Sequence, residues 1–174
     1  MLATVATTPR TENDMSEQPI IDHRPRRLLL ATDGSDLAIS ALAAGLRLVD
    51  HPRELLLVTA VPTVDPSIVV GSGHAGPVMG LTDKQELIAE RDREAQRSLD
   101  ETLTRLGLDA TAVTAVILRG DPGVEICARA ESDDIDLIVL GTSGNGGFKR
   151  ALLGSTSDHV VRNAPCPVMT VGAD

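Results

Sequence analysis

Five short runs that are almost continuously apolar, separated by segments of helical periodicity, constrain this chain more than any other feature. They lie at residues 27–32, 55–61, 112–118, 135–140 and Val168–Val171. Strands that alternate apolar and polar residues keep one face wet, whereas unbroken runs of Leu, Val, Ile and Ala need cover on both faces, as parallel sheets provide. The intervening segments supply that cover. Ala38, Ala41, Leu42, Gly45, Leu48 and Val49 recur at helical spacing until Pro52 stops the pattern. A helix of about six turns fits residues 83–106, with Ile88, Ala95, Leu99, Leu103 and Leu106 on its apolar face and Gly107 ending it. Asp121-Pro122 opens a shorter helix through Ala130, with proline at its favoured first position, and residues 154–163 form the last. Alternation at this spacing requires right-handed crossovers, hence an α/β fold with a mostly parallel five-stranded sheet and helices on both faces.

The 174 residues leave room for one substantial core and would cramp two. Residues 1–25, rich in Thr, Pro and charge without periodicity, read as a disordered leader, and 26–174 as a single domain. Within it, residues 62–82 are rich in Pro and Gly and read as a long surface loop.

The segment after the fourth run, Gly141-Thr-Ser-Gly144-Asn-Gly-Gly-Phe-Lys-Arg-Ala-Leu-Leu-Gly154-Ser155, carries the chemistry. A glycine-rich connection from a buried strand to a helix is where α/β proteins receive phosphate. Residues without a Cβ let an anion approach the main chain, and the first amides of a helix have no internal acceptor. Ser155 fits the N-cap of that helix, with Asp158 three residues on as in a capping box. The segment holds Lys149 and Arg150 and no carboxylate, a local surplus of positive charge in a chain of net charge −9.

Composition excludes several function classes. Phe148 is the one aromatic residue, so base-stacking platforms for single-stranded nucleic acid are missing, and an acidic chain lacks the footprint for a polyanion. Two cysteines, Cys127 and Cys166, do not make a disulfide framework and read as small buried apolar groups. His23, His51, His74 and His159 are scattered without ligand spacing, which argues against a protein-held metal. Residues 71–76 satisfy the dinucleotide glycine pattern outside any strand-to-helix transition, and no glycine loop ends in the Lys-Ser/Thr of a phosphate-binding P-loop. With neither a secretory signal nor a run of about 20 apolar residues, the expectation is a cytoplasmic protein with no membrane segment.

Three features together resemble the universal stress protein family, in its ATP-binding branch. They are Ala31-Thr-Asp33-Gly-Ser35 after the first run, the Gly141-x-x-Gly144 then nine residues then Gly154-Ser155 pattern, and Ala164-Pro-Cys-Pro-Val168. The resemblance covers residues 26–172 and implies the strand order 3-2-1-4-5 and a homodimer formed through Val168–Val171. By it, Asp33 would contact the ribose and the main chain near Ala60 the adenine edge. Gly141 and Gly144 would shape the loop, and Gly154, Ser155 and Thr156 would meet the phosphates of ATP, bound with Mg2+. Ser143 stands where many members carry Arg or His, and Ala60 where many carry Val.

The function these observations imply is an ATP-responsive, dimeric binding module of the stress response, with no catalytic residue assigned and at most slow ATPase activity, because nothing in the sequence orients a water at a γ-phosphate. Two alternatives stand beside it: a nucleotide-free homodimeric scaffold, and a phosphotransferase or adenylyl-type enzyme. The latter would be supported by a Ser-Gly-Gly loop after the first strand, where Asp33-Gly34-Ser35-Asp36 stands instead.

Overall fold

The computed structural model describes residues 25–49, 52–63, 81–142 and 153–172. Its elements follow one another as β1 (Arg27–Ala31), α1 (Asp36–Leu46), β2 (Glu54–Val61), α2 (Leu81–Leu106), β3 (Val113–Arg119), α3 (Pro122–Ser132), β4 (Leu137–Gly141), α4 (Ser155–Asn163) and β5 (Val168–Val171). All pairings are parallel, and the order across the sheet is β3-β2-β1-β4-β5, as the resemblance implied. The most apolar strands lie at the centre. Leu28, Leu29 and Leu30 of β1 are wholly buried, as are Leu57 and Val58 of β2 and Ile138 and Val139 of β4.

Alternation along these strands divides the core into two layers. Leu28, Leu30, Leu57 and Val139 pack with Leu42 of α1 and Leu99 and Leu103 of α2 on one face. Leu29, Leu56, Val58, Ile138 and Leu140 pack with Ile126 and Ala130 of α3 and Val160 of α4 on the other. Each face of the sheet is thus closed by two helices, which is why the runs show no polar alternation.

Two expectations shift. Helix α2 begins at Leu81, two residues inside the segment read as loop, and Ile88, expected on its apolar face, is 38 % exposed. At 26 residues, α2 is about 39 Å long, while the eight residues of β2 rise about 26 Å. The helix outruns the sheet, and its burial sits at Ala95, Leu99, Thr102 and Leu103. Residues 1–24 and 64–80, including most of the expected leader and long loop, lie outside the described residues. Among the described residues no helix is long and apolar enough to cross a membrane.

Candidate functional site

Strand β1 lies between β2 and β4, its Ala31 level with Val58 on one side and Leu140 on the other. The crossover from β1 leads to β2, whereas the one from β3 returns to β4, so the chain reverses direction across the sheet beside β1. Such a switch point leaves a crevice at the carboxyl ends of the strands. Asp33 stands two residues beyond Ala31 and Ala60 two beyond Val58, while Gly141 follows Leu140. The fold therefore brings the expected contacts of three separate loops to one edge of the sheet.

The hydrogen-bond ladder shows which way their main chains face. Successive residues of a parallel strand turn their amide and carbonyl to opposite neighbours. Val58 accepts from Thr32 N–H of β1's continuation at 2.9 Å, and Val61 from Gly120 N–H on the β3 side at 3.0 Å. Ala60 therefore faces the side of β1, beyond the point where β1 has turned away. On the opposite wall, Ile138 and Thr142 donate to Pro167 and Val171 on the β5 side, at 3.1 and 3.0 Å, which turns Gly141 toward β1. Among the described residues, the departure of β1 thus leaves a notch at the strand ends flanked by Ala60 and Gly141.

The turn out of β1 is tightly determined. Asp33 Oδ1 accepts from Ser35 N–H at 3.0 Å, and Ser35 Oγ caps α1 by accepting from Ala38 N–H at 3.1 Å. Gly34 adopts φ +76°, where a side chain is disfavoured, and a Cβ there would come within 2.6 Å of Ser98 Oγ on α2. Arg105 of α2 also reaches Asp36 in the first turn of α1, Nη1 to Oδ1 at 2.6 Å.

The amino end of α4 is built differently. Gly154, not Ser155, takes the N-cap position, and among the described residues no side chain caps it. The Ser-x-x-Asp spacing misleads because Gly154 N–H is drawn back to Thr142 C=O at 2.7 Å, starting the helix at Ser155. Asp158 instead pairs with Arg162 one turn on, at 3.0 Å, and that hydrogen-bonded guanidinium holds its carboxyl below the usual range. Ser157, wholly buried and missed by the sequence reading, lies within donating distance of Thr142 C=O at 3.1 Å and Gly154 C=O at 2.9 Å. Thr142 is consequently a junction: its amide holds β5, and its carbonyl receives the start of α4. Ser155 is exposed and Thr156 half-buried in the first turn. The first helical bond is from Asp158 N–H to Gly154 C=O, so the amides of Ser155, Thr156 and Ser157 have no acceptor within the helix. Gly144, Lys149 and Arg150 lie outside the described residues.

Comparison with known proteins bears on this arrangement. The family model described as the universal stress protein family matches residues 25–172. The chain belongs to the universal stress protein family. A universal stress protein of Methanocaldococcus jannaschii is 33 % identical over 147 residues, covering 84 % of this chain and 81 % of that one. Among solved structures, universal stress protein UspA from Lactobacillus plantarum superposes with a TM-score of 0.61 at 24 % identity, over 85 % of this chain and 98 % of that one. A family member from Arabidopsis thaliana with AMP bound gives 0.54 at 17 % identity, over 86 % and 93 %. These likenesses establish the fold.

Neither cysteine is placed for nucleophilic chemistry. Cys127 and Cys166 are half-buried against the core layer under α3 and α4. Burial pushes both thiols up, with the Asp136 carboxylate adding to the effect at Cys166. Among the described residues no cluster of three or more His, Cys, Asp or Glu could hold a metal ion.

Proposed function

We propose that this universal stress protein is a binding module for an adenine nucleotide, ATP carried with Mg2+, and that it acts through a homodimer. The observation that carries this reading is the first turn of α4, whose amides take no side-chain cap among the described residues, beside the end of β1. An anion is the natural complement of such a turn, by hydrogen bonding and by the helix dipole. In this reading the phosphates meet the amides of Ser155 and Thr156, with Gly141, Gly144 and Gly154 keeping the approach open. Gly154 contributes shape, since its own amide is held by Thr142.

The phosphate end cannot suffice. A helix terminus contributes about 1 kcal/mol, whereas micromolar binding needs about 8 kcal/mol. The remainder must come from adenosine, with the main chain at Ala60 presented to the base and the Asp33 carboxylate to the ribose. The AMP-bound relative of Arabidopsis thaliana supports an adenine nucleotide as the ligand class. Mg2+, a hard cation that prefers phosphate oxygen and water, would arrive on the triphosphate. No base is assigned for hydrolysis, so the nucleotide is held rather than consumed. The homodimer reading rests on β5, which among the described residues pairs with β4 on one side only and is the last strand of the sheet.

Calorimetric titration of ATP, AMP and cyclic AMP into nucleotide-stripped protein tests the reading, with ATP expected to bind most tightly. Ser155→Pro sharpens it. Proline suits the first helical position and follows an extended Gly154 at ψ 164°, so the fold should tolerate it while one phosphate-facing amide is lost. ATP affinity should fall about tenfold or more with the melting temperature nearly unchanged. Heat-free titrations for all three nucleotides would overturn the proposal in favour of a nucleotide-free scaffold.

A further inference from the structure

Among the described residues, the apolar stripe of α2 contains one wholly buried polar residue. Thr102 is 0 % exposed among Ala95, Leu99 and Leu103, a place where valine would fill the same space with no polar atom to satisfy. Its hydroxyl hydrogen is directed to Ser98 C=O at 2.7 Å, a bond back along its own helix that adds little to helix stability. Its oxygen lies 3.3 Å from Thr32 Oγ1, at the end of β1. Since a hydroxyl has one hydrogen and Thr102 commits its own to a carbonyl, Thr32 must donate to Thr102. Thr32 Oγ1 in turn accepts from Gly34 N–H at 3.0 Å. A directed chain results, from Gly34 amide to Thr32 hydroxyl to Thr102 hydroxyl to Ser98 carbonyl, and its first link spans Asp33. The backbone on both sides of Asp33 is tied to one hydroxyl whose orientation α2 sets, and the same turn is laid against Ser98 at Gly34.

We propose that Thr102 is a positioning residue for Asp33, acting through the Thr32 hydroxyl to fix the carboxylate where it selects a nucleotide that carries ribose hydroxyls. This rests on the reading of Asp33 as the ribose contact. The ligand preference it creates is for ribonucleotides over 2′,3′-dideoxynucleotides, with no effect on phosphate binding at α4.

The test compares ATP with 2′,3′-dideoxy-ATP by calorimetry in the wild type, Thr102→Val and Thr102→Ser. The wild type should prefer ATP by about tenfold or more. Thr102→Val should lose that preference while its affinity for dideoxy-ATP is unchanged, and Thr102→Ser, which keeps the hydroxyl, should restore it. Amide exchange at Gly34 should quicken in Thr102→Val and return in Thr102→Ser. If valine prevents folding, Thr102→Ala serves in its place. A wild type indifferent to the ribose hydroxyls overturns the role of Asp33 and this inference with it. A wild type that prefers ATP, with a valine variant that retains the preference or weakens both nucleotides equally, overturns the inference alone.

Discussion

Helices α1 and α4 both start at the carboxyl edge of the sheet, next to β1 and β4, yet their first turns are completed in opposite ways. Ser35 reaches over the amino end of α1 and takes an amide, and Asp121 does the same for α3, accepting from Val124 N–H at 3.1 Å. At α4 the cap position is a glycine with nothing to offer. A cap is the cheapest way to stabilise a short helix, contributing about 1 kcal/mol. The N-cap residue supplies no such bond in the nine-residue α4, whereas in two of its neighbours it does, so the two kinds of helix start differ in what their first-turn amides are bonded to.

The difference can be abolished by giving α4 what α1 has. Gly154→Asp suits the local φ of −71° and places a carboxylate over the bare turn. The helix should gain a few tenths of a kcal/mol, while ATP affinity falls by about a hundredfold as the carboxylate occupies the phosphate position and repels it. Titration calorimetry beside thermal melting reads both, and unchanged affinity would remove the amino end of α4 from the site. On the α1 side the largest expected effect is structural. Gly34→Ala forces a Cβ toward Ser98 at a positive φ and should cost about 1–3 kcal/mol in denaturant unfolding.

Ser35→Ala probes the cap itself. About 1 kcal/mol of stability should be lost, since the part-buried amide of Ala38 can turn only partly to water. The same substitution at Ser155 should leave stability nearly untouched, because its side chain caps nothing. Equal losses at the two serines would erase the contrast.

The smallest effect is expected at the opposite end of the sheet, away from both helices. Asp136 accepts from the amides of Arg27 and Arg26, each at 2.8 Å, and these bonds hold its carboxyl below its ordinary value. Its folded pKa being depressed, the stability it contributes is present above the unfolded value of about 3.9 and is lost as pH falls through the lower folded one. Asp136→Asn should flatten the acid limb of a stability-versus-pH curve and leave ATP affinity unchanged.

What could be read from residues alone followed from burial. Strands covered on both sides leave an unambiguous signature, and all five lie within two residues of where their apolar runs predict. The parallel arrangement follows from the alternation with helices, and the strand order from the resemblance. Asp121-Pro122 was legible because a cap and a first-turn proline act within one turn. The last helix was legible to within one residue, expected at 154–163 and found at Ser155–Asn163, but its cap was not, because the Gly154 amide bonds the carbonyl of Thr142, twelve residues earlier, and no local pattern encodes that bond. Thr102 escaped for a related reason. In sequence it is one more polar residue on an amphipathic helix, and only the approach of Thr32 gives its hydroxyl a partner beyond its own backbone.

Thr142 gives this molecule a shared anchor of a single residue. Its nitrogen is fastened to the outermost strand and its oxygen to the root of the last helix. The outer strand and the last helix are therefore joined through the main chain of one amino acid.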